Sequence, residues 1–326
     1  MKRRDLLKLG LASLATALPR LPAFAQAYPD RAIKMIVPFA PGGVVDVIGR
    51  FWTESVRTSL GTVVIENQGG AGGVIGATNV ANAPPDGYTI LLGNTSTQVL
   101  NPTVMAKPPY DPIKNFVTID MIAISATAEI VHSSVPAKTL KELIDYAKAN
   151  PGKLSYGSAG AGTLTNLAGE MFKHLAGGLD IVHLPYKGAN PGITDLISGQ
   201  IPMMTPNITG QLIELHKAGK IRILAVNTPA RLKALPDVPT ASETVPNMIA
   251  QLFNGLFAPA GTPKPIIDKI SQATRGALAQ PEFQKKLVES GFEPVLDSSP
   301  DKAQRFLVEE HDRFVPIIKT LDFKMG

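Results

Sequence analysis

"VPFAPGGVVDVIGR", residues 37–50, runs from the end of an apolar strand through a Pro-Gly-Gly bend into the start of a helix. A helix start has N–H groups without internal partners and carries partial positive charge. Gly42 and Gly43 leave that backbone bare, so a small anion can approach it. Asp46, in the first turn, suits the helix dipole. It reads as a capping or orienting residue, because a carboxylate repels an anion in direct contact.

The same theme recurs about 120 residues later in "LSYGSAGAGTLTNLAGEMF", where Gly160 and Gly162 precede a helix and Ser158 and Thr163 add hydroxyl donors. Around these turns, short apolar runs alternate with helix-like segments. The runs are "IKMIVPF" (33–39), "TVVIEN" (62–67), "YTILLGN" (88–94), "EIVHS" (129–133), "LSYGSA" (154–159), "IVHLPY" (181–186), "IPMMTPN" (201–207) and "IRILAV" (221–226). Continuous rather than alternating hydrophobicity marks strands covered on both faces. The pattern predicts an α/β fold of two lobes, each a mainly parallel sheet flanked by helices, with the two glycine turns facing each other across a cleft.

Helix boundaries carry their own signals. Thr139 and Glu142 form a capping-box pattern, and Asn190-Pro191 predicts an N-cap with proline at the first helical position. Thr262-Pro263 and Ser299-Pro300 open two further helices, and Pro316 is expected to kink or break the second.

Catalytic fingerprints fail one by one. "GGAGGVIGAT" (69–78) lacks the Lys-Ser/Thr ending of a phosphate loop and has Ala71 where a dinucleotide motif needs glycine. In "YGSAG", Tyr156 stands where a nucleophile elbow needs glycine, so Ser158 is a poor nucleophile. The five histidines form no close metal-binding pair, and the chain has no cysteine. No catalytic residue, metal or cofactor is expected, which moves the reading from enzyme to binder.

Residues 1–25, "MKRRDLLKLGLASLATALPRLPAFA", combine a basic head, a short apolar block and small residues near Ala23, Ala25 and Ala27. This is the layout of a secretory signal. Arg3-Arg4 resembles a twin-arginine motif with Leu6 in place of the usual Phe, and a Sec route stays open. The signal holds Lys2, Arg3, Arg4, Lys8 and Arg20 against Asp5, so most of the net charge of +5 belongs to it. About +1 remains for the rest, which removes the argument for nucleic acid as a partner.

Six stretches resemble one family. They are "IVPFAPGGVVDVIGR", "VIENQGGAGGVIGATNVANAPPDGYTILLGN", "LSYGSAGAGTLTNLAGEMFK", "LPYKGANPGITDLISGQI", "KIRILAVNTPARLKALPDVPTASE" and "GLFAPAGTPKPIIDKI". The family is the periplasmic substrate-binding proteins of tripartite tricarboxylate transporters, also called the Bug family. The likeness runs from about residue 30 to the C-terminus. It implies a two-lobed Venus-flytrap protein, expected as a monomer, that hands a small carboxylate to membrane permease subunits. Lobe one is expected at 28–124 and 228–326, lobe two at 125–227, with hinges near 117–126 and 221–230.

Carried over position by position, the resemblance implies ligand contacts at Phe39, Ala40, Gly42, Gly43 and Asp46 in the first turn. In the second it implies Ser158, Ala159, Gly162 and Thr163. Asn94, Tyr186, Lys187, Gly188 and Asn207 are strand-end positions facing the same cleft; Asn207 is equally open to capping the next helix, and Lys187 to being solvated. Three departures bear on specificity. Val45 stands where Thr is common, Asn166, itself a candidate contact, stands for a frequent His, and "MMTPN" (203–207) lacks a usual polar residue. The exchanges at 45 and 203–204 point to a ligand with an apolar or aromatic body and one carboxylate, rather than a citrate-like polyanion. Two rival readings remain: a ligand-binding sensor docking on a signalling partner, and a dinucleotide-dependent α/β enzyme.

Overall fold

The computed structural model describes residues 28–323; the expected signal at 1–25 lies outside them. Among the described residues, eleven strands form two sheets. The first contains β1 (Ile33–Val37), β2 (Val63–Asn67), β3 (Thr89–Asn94), β4 (Phe116–Ala126), β10 (Gln251–Pro259) and β11 (Phe292–Pro294), in the order β11-β4-β10-β3-β1-β2. The second contains β5 (Ala128–His132), β6 (Leu154–Ser158), β7 (Ile181–Pro185), β8 (Met203–Met204) and β9 (Ile221–Val226), in the order β7-β6-β8-β5-β9. All eight expected runs contain a strand. β4, β10 and β11 come in addition.

The two-lobed α/β architecture holds, but the sheets are mixed rather than mainly parallel. Four pairings are parallel (β1-β2, β1-β3, β6-β7 and β6-β8) and five are antiparallel. The antiparallel half is built from strands that leave and re-enter each lobe: β4 and β10 in the first, β5 and β9 in the second. The parallel half keeps its strand C-termini at the cleft, and both glycine turns follow such strands.

Among the described residues, nine helices of eight or more residues cover the sheets: α1 (Val44–Ser55), α2 (Val74–Ala81), α3 (Leu140–Ala149), α4 (Leu164–Leu175), α5 (Ala189–Ile197), α6 (Gly210–Lys217), α7 (Lys264–Leu278), α8 (Pro281–Glu289) and α9 (Pro300–Thr320). α1 forms because Val44, Val45, Ile48, Gly49 and Trp52 fall on one face, and it buries that face against the first sheet. Trp52 is fully buried, and its indole N–H donates to Thr274 Oγ1 of α7 at 3.1 Å. Removing that ring is expected to cost ~3–5 kcal/mol.

Thr139 caps α3, accepting from the Glu142 N–H at 3.1 Å, but the Glu142 carboxylate takes the Lys138 N–H instead of closing the box on Thr139. α9 starts at Ser299-Pro300 as expected and runs on through Pro316 to Thr320. Of the kink or break expected at Pro316 the break does not occur, because buried Phe314 and Ile318 on either side of the proline anchor the final turns. Among the described residues no helix is long and apolar enough to cross a membrane.

Between the lobes the chain crosses at Thr127, Asn227 and Ala250, which bond to one another in a ring. Asn227 N–H donates to Thr127 O at 2.8 Å, Ala250 N–H to Asn227 O at 3.0 Å, and Thr127 N–H to Ala250 O at 3.2 Å. The expected return to lobe one at residue 228 is displaced. Leu232, Leu235 and Val238 pack in the second sheet's core with Leu212, Ile213 and Ile223. Thr240 also bridges Val226 at the end of β9. Apolar burial keeps this polar-looking loop with the second lobe.

Candidate functional site

A cavity of about 60 Å³ lies between the lobes, well above the ~10–15 Å³ that a single water needs. From the first lobe it is lined by Phe39, Ala40, Gly43, Val44, Val45, Asn94, Ser96 and Leu252. The second lobe contributes Ala159, Thr163, Thr165, Gly188, Ala189, Asn190, Ile193, Asn207 and Thr209. None of these side chains is ionisable. A wider cavity of about 670 Å³ adjoins it through Phe39, Ala40, Ala159 and Gly188, and extends to the 69–73 loop, Tyr186 and Lys187.

The first turn is held from behind by Asp46. This residue is buried, and its carboxylate accepts from the Gly42 N–H at 2.9 Å, from Asn67 Nδ2 at 3.0 Å and from Arg50 Nε at 2.8 Å. Burial alone raises its pKa, but the bonds from Arg50, Gly42 and Asn67 outweigh this and hold it below the ordinary carboxylate value. Asp46 therefore orients the turn and does not line the cavity. Gly42 is likewise withdrawn from the cavity; its φ of +79° and the Asn190 amide beside it require glycine there. What remains at the cavity is the N-terminus of α1. Its N-cap Gly43 makes no side-chain cap, and the N–H groups of Gly43, Val44 and Val45 have no acceptor among the described residues.

The second turn is closed on itself. Ala159 N–H donates to Thr165 Oγ1 at 2.9 Å, Gly160 N–H to Ser158 Oγ at 3.2 Å, and Gly162 N–H to Asn166 Oδ1 at 3.2 Å. Thr163 caps α4, and its N–H goes to Gly160 O at 3.3 Å. Leu164 N–H crosses the cleft to Ser96 Oγ at 3.0 Å. Ser158, Gly162 and Asn166 thus stand behind the site, while Ala159 and the Thr163 side chain line it. The expectation that both turns offer main-chain amides is corrected: short polar side chains fill the second.

Other positions divide similarly. Asn94 lines the cavity; its Oδ1 accepts from Thr97 N–H at 3.1 Å, which leaves the NH2 half of the amide for the cavity. Asn207 also lines it and is not a helix cap, because Thr209 caps α6 by accepting from Leu212 N–H at 3.4 Å. Tyr186 and Lys187 face the wider cavity, and the Tyr186 hydroxyl donates to Asp195 at 2.7 Å. Gly188, not Asn190, is the N-cap of α5. Asn190 instead reaches across the cleft and donates to Pro41 O at 2.9 Å.

Met203 and Met204 are buried in β8 and do not touch the cavity, so that exchange has no bearing on its polarity. Its apolar wall is Val44, Val45, Ile193 and Leu252. Sequence reasoning missed Val44, Ser96, Thr165, Ala189, Asn190, Ile193, Thr209 and Leu252. Ser96 opens a π-helical turn at the end of β3, Ser96–Leu100, a backbone form common at functional sites. The hydroxyl-rich "NTST" after a strand end is the signal that could have found it.

Comparison with known proteins places this geometry. The family described as "Tripartite tricarboxylate transporter family receptor" matches residues 48–323. A UPF0065 protein from the tcbD-tcbE intergenic region of a Pseudomonas species is 33% identical over 96% of this chain and 95% of its own length. The protein BugT of Bordetella pertussis is 31% identical over 96% of each. Among solved structures, the periplasmic binding protein BugD is 34% identical with a TM-score of 0.86, covering 92% of this chain and 100% of its own. A Rhodopseudomonas palustris protein solved with adipate is 32% identical with a TM-score of 0.87, over 91% of this chain and 99% of its own. MatC of the same species, with bound malate, is 29% identical with a TM-score of 0.84, over 89% of this chain and 100% of its own.

Proposed function

Because this chain belongs to the tripartite tricarboxylate transporter receptor family, whose members are solute receptors rather than enzymes, we propose that it captures a small carboxylate with an apolar body and delivers it to the permease subunits of such a transporter. The observation that carries the reading is the uncharged cavity with the unused amides of Gly43, Val44 and Val45 at the start of α1. One carboxylate can accept those N–H groups and the helix dipole favours its charge. Asn94, Ser96 and Asn207 supply neutral hydrogen-bonding groups around it, and Val44, Val45, Ile193 and Leu252 suit an aliphatic or aromatic remainder.

A second or third negative charge on the ligand would meet no cationic side chain in this lining and would pay its desolvation uncompensated. One structural relative is solved with adipate and another with bound malate. Here a monocarboxylate is favoured over citrate. Residues 1–25 are proposed to direct export to the periplasm, and the lobes to be 31–126 with 251–323, and 128–249. Calorimetry of the protein against benzoate, phenylacetate, adipate, malate and citrate tests the ligand class. Binding of an apolar monocarboxylate without citrate binding is expected; tight citrate binding with no apolar acid bound overturns the reading.

A further inference from the structure

Behind the second turn, a chain of polar groups runs from α4 to the edge strand β7. Asn166 Oδ1 is committed to the Gly162 N–H at 3.2 Å, so its NH2 group faces Tyr156 Oη at 2.9 Å and His183 Nδ1 at 3.4 Å. His183 Nε2 lies 2.7 Å from Ser158 Oγ. Ser158, fully buried, in turn holds both backbone groups of Gly160: the N–H at 3.2 Å and the carbonyl at 3.3 Å. Gly160 O also accepts from the Thr163 hydroxyl at 2.7 Å, and Thr163 lines the cavity.

The donor inventory selects one tautomer. Asn166 presents hydrogens to Nδ1, so Nδ1 must accept; the ring proton then sits on Nε2 and is donated to Ser158. Ser158 accepts that proton and the Gly160 N–H, and gives its own hydrogen to Gly160 O. A second proton on the ring, at Nδ1, would face the hydrogens of the Asn166 amide. The amide cannot turn over to accept it without abandoning the Gly162 N–H.

We infer that His183 and Asn166 are positioning residues for the second turn, and that protonation of His183 loosens Ser158, Gly160 and Thr163 and so weakens ligand capture in acid. This rests on the carboxylate reading of the cavity above. The titratable and charged groups facing the ring are Tyr156 from β6, stacked on it at 4.8 Å, and Glu170 and Lys173 from α4. Tyr156 Oη donates to Glu170 at 2.7 Å, and Lys173 pairs with the same carboxylate at 2.9 Å, so Glu170 is already engaged. Burial lowers the His183 pKa; Glu170 opposes this and Lys173 adds to it. The imidazole is therefore neutral at neutral pH, and its protonation falls below the ordinary histidine range.

Amide ¹H–¹⁵N spectra recorded from pH about 8 to about 5 test the wiring without any ligand. Gly160 and Gly162 are expected to move together with one midpoint below about 6.5 in the native protein, and to stay still in His183→Gln. Asn166→Asp puts an acceptor against Nδ1, and is expected to raise that midpoint by about one unit or more. Benzoate, measured calorimetrically, is expected to bind at least about fivefold more weakly at pH about 5.5 than at about 7.5, with less than about twofold change in His183→Gln. Static Gly160 and Gly162 resonances, or the same movement in His183→Gln, overturn the inference. Tighter benzoate binding in acid also overturns it, because His183 would then act on the ligand by charge. If the two amides titrate as expected but no benzoate binds at any pH, the wiring is supported and the ligand reading is what fails.

Discussion

The two glycine turns look alike as sequence, strand then glycines then helix, yet the fold uses them in opposite ways. In the first, one buried carboxylate, Asp46, gathers Gly42, Asn67 and Arg50 behind the turn and leaves the helix-start amides of Gly43, Val44 and Val45 unused. In the second, neutral side chains occupy the amides of Ala159, Gly160 and Gly162, and Ser96 of the opposite lobe takes that of Leu164. One turn presents open amides, the proposed anion seat, held from behind by charge. The other is a wall whose polar groups are already bonded to the chain itself. A helix start is therefore a binding site only when the chain leaves its donors unspent.

Filling the seat is the most direct way to break this contrast. Gly43 has φ of −76° and ψ of 170°, open to any residue, and an added Cβ meets only Ala40 O at 3.6 Å. Gly43→Val should fold normally and cost ~10–100-fold in affinity for the cognate acid, by overpacking the cavity. Calorimetry and a melting curve check both halves; unaltered binding would remove the first turn from the site.

Removing the support behind the seat comes next in size. Asp46→Ala strands the Gly42 N–H and unpairs Arg50, and should lower stability by ~1.5–3 kcal/mol in urea titrations. Half of the Arg50 side chain is solvent-exposed, so screening places the loss towards the lower end of that range. The pH dependence sharpens the point. The folded-state pKa of Asp46 lies below its unfolded value. Its stabilisation is thus complete above the unfolded pKa of about 4 and is lost as pH falls through the folded one. Asp46→Asn should be flatter than the native protein below about pH 4 and parallel to it above. An unchanged acid limb would mean that the carboxylate is not what holds the turn.

Much of this is legible in the amino-acid sequence, and what is not has physical causes. Helix α1 can be read because Val44, Ile48 and Trp52 repeat at helical spacing, and most of the eight apolar runs because glycine, proline or asparagine stands at or near one end, 129–133 being an exception. Strand β10 is hidden by Asn254-Gly255, a pair that reads as a hairpin turn but here lies mid-strand opposite Asn94 and Gly93. That conceals Leu252 as a cavity wall. The closure of the second turn is not legible either. Thr165, Ser158 and Asn166 could each have faced the ligand, and only backbone torsions decide whether a hydroxyl turns inward to its own amides. Asn190 shows the same limit: Asn before Pro reads as a cap, whereas its partner, Pro41, is 149 residues away.

The smallest expected effects concern how the two turns are brought together. Asn190 Nδ2 bonds Pro41 O, and Ser96 Oγ takes the Leu164 N–H, each joining one lobe to the other. Both bonds exist only while the lobes are apposed, so they favour closure as a ligand does, by preferential stabilisation of one state. A bond of this kind contributes ~0.5–1.5 kcal/mol. Asn190→Ala and Ser96→Ala should therefore each weaken binding by ~2–10-fold, and the pair should lose roughly the product, because the two contacts share no partner. The mutants should differ in one respect. Ser96→Ala frees the Leu164 amide, which a carboxylate can then claim, so its loss in affinity should be the smaller, while Asn190→Ala opens nothing that the ligand can use. Small-angle scattering of the ligand-free proteins should show a larger radius for the double variant than for the native chain. Equal radii, with affinities unchanged, would mean that the lobes close without help from either contact, and that the contrast between the turns stops at the cavity wall.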